Sequence, residues 1–97
     1  MRFDWDLEKA AANLAKHGVS FEEAVTAFDD PFGLVAEDVV HSTAKEARQW
    51  LIGAADGGVL VIVFTVRQDG DVYRLISARR ASRKERGRYE ASKGVPL

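Results

Sequence analysis

The feature that most limits what this chain can fold into is a set of three strand-like segments separated by two short glycine turns. Residues 48–54, 59–66 and 72–79 are rich in β-branched, aliphatic and aromatic side chains. Asp56-Gly57-Gly58 and Gln68-Asp69-Gly70-Asp71 stand between them, supplying the positive-φ positions that tight hairpins need. An antiparallel meander follows. The middle segment is apolar on both of its faces, so it belongs at the centre of a sheet, covered by helix on one side and partly covered on the other. Strict alternation along the last segment would put Val72, Arg74, Ile76 and Ala78 on one face and Tyr73, Leu75, Ser77 and Arg79 on the other.

Helices flank the meander. Asp6 precedes an apolar-periodic stretch ending at Gly18, with Leu7, Ala11 and Leu14 on one face, and glycine suits a left-handed stop. Ser20-Phe21-Glu22-Glu23 opens a second helix as a capping box, and Asp29-Asp30-Pro31 closes it. Residues 33–38 carry no clear period, and 38–46 read as a strand end followed by a polar loop. Ser82-Arg83-Lys84-Glu85 is a second capping box, starting a helix that runs to about Ser92 before Gly94 and Pro96. The expected class is therefore α+β, with two N-terminal helices, an antiparallel sheet of three or four strands and a C-terminal helix. Helices would cover one sheet face and leave the other for a ligand.

At 97 residues, 46% apolar and 30% charged, the chain reads as one folded domain over 1–97. It has no cysteine, so disulfides, thiolate metal sites and cysteine nucleophiles are excluded, in keeping with a reducing compartment. No signal-like run opens the sequence, and residues 59–66 are too few to span a bilayer, so a cytoplasmic location without a membrane partner is expected. No glycine-rich phosphate loop, nucleophile elbow or His-Glu-x-x-His pattern occurs, and neither a metal nor a cofactor is signalled.

The net charge is −1, but it is unevenly spread. From Arg74 to Lys93 eight basic residues face two acidic ones, a net of +6, while residues 1–73 are acidic. Such a basic segment suits phosphate, and guanidinium suits it best, through a planar fork that stays charged. Arg80, Arg83 and the amides opening the last helix form one plausible seat for an anion. Arg67 ends the preceding strand and reaches Arg79 only in a short register. Lys16 and His17 end the first helix, where positive charge complements the helix dipole; alternatively Lys16 contacts phosphate and His17 exchanges protons. His41 reads as a surface residue. Trp5, Trp50 and Phe64 read as core, and Tyr89 as either core or a stacking platform.

Two motifs carry a family resemblance. The first runs Phe3-x-Trp5-Asp6, then Lys9-Ala10-x-x-Asn13-Leu14-x-Lys16-His17-Gly18-Val19-Ser20-Phe21-Glu22-Glu23-Ala24. The second is Val63-Phe64-Thr65, continued by Ile76-Ser77-Ala78-Arg79-Arg80-Ala81-Ser82-Arg83-Lys84-Glu85-Arg86 and Tyr89. Together they resemble the BrnT toxin family over nearly the whole chain except about 33–53. The resemblance implies a RelE-like ribonuclease fold, type II toxin-antitoxin biology, inhibition of translation by RNA cleavage, and a BrnA-like antitoxin with a ribbon-helix-helix part. Operator DNA would then be met only through the antitoxin. It also implies functional roles for Lys16, His17, Arg67, Arg79 and Arg80, with Arg74 the nearest counterpart of an arginine that relatives carry soon after the hairpin turn.

The resulting expectation is a metal-independent endoribonuclease in which Arg67, Arg79 and Arg80 hold the scissile phosphate, His17 or Lys16 assists proton transfer, and Arg83, Arg74 and Tyr89 contact RNA. Two other readings use the same basic segment: a module that grips nucleic acid without cutting it, and a domain that only docks an antitoxin.

Overall fold

A computed structural model describes residues 1–67 and 70–93. In chain order the elements are β1 (Arg2–Asp4), α1 (Leu7–His17), α2 (Phe21–Thr26), a 3₁₀ turn (Ala27–Asp29), β2 (Leu34–Glu37), β3 (Arg48–Ala55), β4 (Gly58–Arg67), β5 (Val72–Arg80) and α3 (Arg83–Lys93). The sheet order is β1-β5-β4-β3-β2, antiparallel throughout except that β1 pairs parallel with β5. The α+β layout and the central meander agree with the sequence expectation. The sheet is nonetheless mixed and five-stranded, because two short edge strands add to the meander. Arg2–Asp4 is too brief to show a period, and its pairing depends on Val72–Arg74 far along the chain. The second hairpin turn lies partly outside the described residues, as do Gly94 and Pro96, while Gly70 has φ +90°.

Local signals start the helices as expected. The Asp6 carboxylate accepts from the N–H groups of Glu8 and Lys9 at 2.9 and 3.0 Å, and Gly18 stops α1 at φ 69°. Ser20 Oγ accepts from the Glu23 N–H at 3.0 Å. The reciprocal half of that capping box does not form, because the Glu23 carboxylate pairs with Arg80 instead. At α3 both halves are made: Glu85 N–H donates to Ser82 Oγ at 3.2 Å, and Ser82 N–H to Glu85 Oε1 at 2.8 Å.

The main core lies between one sheet face and the first two helices. Phe21, Ala24, Leu51, Leu60, Ile62, Phe64, Leu75 and Ala78 are buried there, each large apolar side chain contributing roughly 1.5–3 kcal/mol. Phe3, Phe28, Phe64 and Tyr73 extend it as an aromatic cluster, with ring centroids 4.9 Å apart for Phe3–Phe28 and 5.1 Å for Phe28–Phe64. On the second face a smaller cluster of Ile52, Val61, Ala81 and Tyr89 seats α3. Helix therefore covers part of both faces, and the second face is open only beyond α3.

Leu7, Ala11 and Leu14 do share a face of α1, but it points to solvent; Leu7 is 80% exposed. Asn13 is buried in their place, at 7%. The cause is the edge of β5. β1 pairs only with Val72–Arg74, so the strand beyond lacks a partner on that side. Asn13 supplies one: Ala78 N–H donates to its Oδ1 at 3.1 Å, and its Nδ2 donates to the carbonyls of Ala78 at 2.8 Å and Val19 at 3.0 Å. Satisfying buried backbone groups outweighs burying two leucines, and α1 is rotated accordingly.

The alternation expected for β5 is broken by a bulge. Val63 faces Ser77 while the next residue, Phe64, faces Leu75, leaving Ile76 as an extra residue. Tyr73, Leu75 and Ala78 thereby join the core side, whereas Arg74, Ser77 and Arg79 share the second face.

Candidate active site

The open part of the second face is a concavity of about 500 Å³, within the range of small-ligand sites. Five elements build it. Pairing of Arg48 with Thr65, Trp50 with Val63 and Ile52 with Val61 aligns the β3 contribution with the centre of β4. β5 adds Ile76, Ser77 and Arg79, α3 adds Glu85 and Arg88, and the loop between β2 and β3 adds Asp38 and His41. Trp50, Ile52, Val61 and Val63 give the depression an apolar floor, and three guanidinium groups stand around it.

Arg79 is the most firmly held of the three. Its Nη1 and Nη2 donate to the two carboxylate oxygens of Glu85 at 2.8 and 2.9 Å, and Nη1 also donates to the Arg80 carbonyl at 3.3 Å. Three of the five N–H donors of the group are thus engaged, and two remain for a ligand. The fork lowers the Glu85 carboxyl to about 2, chiefly through the hydrogen bond from Arg79, with the Ser82 N–H and hydroxyl adding to it. Arg48 donates its Nε to Glu46 at 3.0 Å, and that bond is the main reason the Glu46 carboxyl lies below its ordinary range. Arg88 makes no ion pair among the described residues. His41 Nδ1 lies 2.9 and 3.0 Å from the two oxygens of Asp38.

The structure does not gather the other arginines expected to act with Arg79. Arg80 points to the helix-covered side, pairing with Glu23 at 3.2 Å. Arg67 stands at the far end of β4, opposite Val72, with Glu46 at 3.5 Å. Arg74 is on the second face but pairs with Asp4 at 3.2 Å. Arg83 opens α3 and is exposed outside the concavity. Tyr89 is no stacking platform: it is buried, its hydroxyl donates to Asp30, and burial together with that carboxylate raises it to about 12. The Asp30 carboxyl is itself lowered, since donors from Tyr89, Ala54 and Phe32 outweigh its desolvation.

Lys16 and His17 line a second, shallower depression with Lys9, Ala12 and Asn13. Ile76 and Ser77 border both depressions, so only the bulged edge of β5 separates them.

Among the residues of the concavity missed from sequence are Arg48, Trp50, Arg88 and His41. The first two follow once β3 and β4 are paired in register. Arg88 carried a signal, because Glu85 and Arg88 stand three apart on α3 and so share a face. Nothing local to His41 marked it. Among the described residues no group of three or more His, Asp or Glu side chains is placed to hold a metal ion, and no helix is long and apolar enough to cross a membrane.

No curated protein matches the chain. The family model described as ribonuclease toxin, BrnT, of type II toxin-antitoxin system matches residues 5–85, a span that takes in α1, α2, β2 to β5 and the Arg79–Glu85 pair. The chain therefore belongs to the BrnT family of ribonuclease toxins.

Proposed function

We propose that this toxin cleaves RNA in the concavity of the second sheet face, without a metal ion, and that cleavage halts translation. One observation carries the reading: the Arg79 fork is fixed by Glu85 beside Arg48 and Arg88, over an apolar floor that includes Trp50. Guanidinium groups suit the non-bridging oxygens of a phosphodiester, and an indole suits the face of a flanking base. The reaction is attack of the ribose 2′-oxygen on the adjacent phosphorus with departure of the 5′-oxygen, giving a 2′,3′-cyclic phosphate and a 5′-hydroxyl. Charge accumulates on the phosphoryl oxygens during attack, and pre-set cations offset it, so catalysis is largely positioning and electrostatics.

Lys16 and His17, with Lys9, would receive phosphates of the strand as it crosses Ser77, and Arg74 and Arg67 would extend the track along β5 and β4. Arg83, exposed at the head of α3, would add a peripheral contact. Arg80 is read as an anchor for α2 through Glu23.

A type II toxin has an antitoxin; here that partner would be BrnA-like, with a ribbon-helix-helix part through which the complex meets operator DNA. Both would act in the cytoplasm.

The test is cleavage of a defined RNA by the purified, antitoxin-free chain in excess EDTA, with end-group analysis. New 5′-hydroxyl ends are expected, with Arg79→Ala at least ~100-fold slower and Arg80→Ala within about threefold of the parent. Salt-sensitive binding that leaves RNA intact would overturn the enzymatic reading in favour of a gripping module.

A further inference from the structure

We propose that His41, its ring fixed by Asp38, is the catalytic residue that takes the proton from the attacking 2′-hydroxyl. The inference rests on the reading of the concavity as the cleavage site and adds the proton-transfer group that the arginines cannot supply.

Three observations converge on this histidine. The first is the company it keeps, since His41 lines the same depression as Arg48, Arg79 and Arg88. Of the remaining lining side chains, the arginines stay protonated, the Glu85 carboxylate is committed to Arg79, the Asp38 carboxylate to His41, and a serine hydroxyl is a poor base. Only an imidazole can accept and return a proton readily near neutral pH.

The second observation is orientation. Both Asp38 oxygens lie within 3.0 Å of His41 Nδ1, and Oδ1 also accepts from the His41 backbone N–H at 3.3 Å. That arrangement puts the hydrogen on Nδ1 and leaves the lone pair of Nε2 available, while a carboxylate waits to stabilise the imidazolium that forms. The same division of labour operates in nucleophile, histidine and aspartate triads. The His41 side chain is 65% exposed, so substrate can reach it.

The third is rigidity at the base of the loop. Asp38 N–H donates to the Arg48 carbonyl at 2.8 Å; Ser42 Oγ donates to the Asp38 carbonyl at 2.6 Å and accepts from the Arg48 N–H at 2.9 Å; Thr43 N–H donates to the Glu46 carbonyl at 2.8 Å. These bonds tie the carrier of His41 to the first residue of β3, whose own guanidinium lines the site. A solvated His–Asp pair on a surface turn would need none of this bracing.

Nε2 accepts the 2′-hydroxyl proton as the O2′–P bond forms, the P–O5′ bond breaks, water protonates the departing 5′-oxygen, and the hydroxide so formed takes the proton back from the imidazolium.

The test compares parent, His41→Ala, Asp38→Asn and Arg79→Ala on one RNA, with and without added imidazole. His41→Ala is expected to lower kcat ~100-fold or more with KM within about threefold, and free imidazole to restore at least tenfold of that loss in His41→Ala while leaving Arg79→Ala unchanged. Asp38→Asn, a positioning change, is expected to lower kcat about tenfold and to gain little from imidazole. Near-parental cleavage by His41→Ala overturns the proposal, as does a loss that imidazole cannot repair. If the parent itself leaves RNA intact, the fault lies with the cleavage-site reading, and the two failures are told apart by that control.

Discussion

Replacing Glu85 by glutamine removes the carboxylate that fixes Arg79 while keeping an oxygen for the Ser82 N–H. Moving a carboxyl from its ordinary 4.5 to about 2 corresponds to ~3 kcal/mol of linked stability. The Arg79 side chain is 43% exposed and that of Glu85 24%, so solvent screens the pair and ~1–2 kcal/mol is the reasonable expectation. The sign follows from the depressed carboxyl: its contribution is full above about pH 5 and is lost as the pH falls from 4.5 toward 2. Urea denaturation of parent and Glu85→Gln across pH 2–7 should show the parent more stable by ~1–2 kcal/mol at neutrality, with the gap more than halved near pH 3. The lowered carboxyls of Asp6, Asp30 and Glu46 are common to both proteins and cancel in the difference. A gap that stays constant over the whole range would refute the assignment of the shift to the Arg79 fork.

Asn13→Ala should leave the Ala78 amide and two carbonyls buried without partners and cost ~2 kcal/mol or more, lowering Tm by roughly 10 °C in a domain of this size; an unchanged melt would show that water replaces the amide. Gly53→Ala puts a Cβ 2.9 Å from the Ala27 carbonyl, and ~1–3 kcal/mol of overpacking is expected in denaturant titration. Tyr89→Phe deletes the hydroxyl bonded to Asp30 and should cost ~1–2 kcal/mol while leaving RNA cleavage at the parental rate; a rate defect without a stability change would return Tyr89 to the substrate surface.

What could be read from the chain was whatever a few neighbouring residues encode. Asp6, Ser20 and Ser82 mark helix starts because an N-cap needs only its own next turn, and the turn at Asp56 to Gly58 announces its hairpin for the same reason. The partner of Arg2–Asp4 is some seventy residues away, so no local pattern revealed that strand. The rotation of α1 was hidden because it obeys the hydrogen-bond needs of Ala78, which outweigh the periodicity of Leu7, Ala11 and Leu14. Within the candidate site Arg79 stood out because charge is concentrated near it. Arg48, Trp50 and His41 did not, since a site drawn from three strands, a helix and a loop has no linear signature. Arg80 illustrates the opposite case: the family resemblance implied joint action with Arg79, but neighbours on a strand address opposite sides.

The extra residue at Ile76 makes the two faces of β5 depend on the bulge in a way its composition does not suggest. Upstream of it the strand serves an aromatic interior, and downstream it serves the arginine frame; the two halves are out of phase by one position. Pairing β5 with Ile76 in regular register, without the bulge, would force a choice, sending either Tyr73 and Leu75 into water or Arg79 toward the hydrocarbon side, whereas deleting Ile76 would leave all three on their present sides. What selection must keep at this point is the relative phase of the two halves, through one bulged residue or none, rather than the chemistry of the residue that stands there.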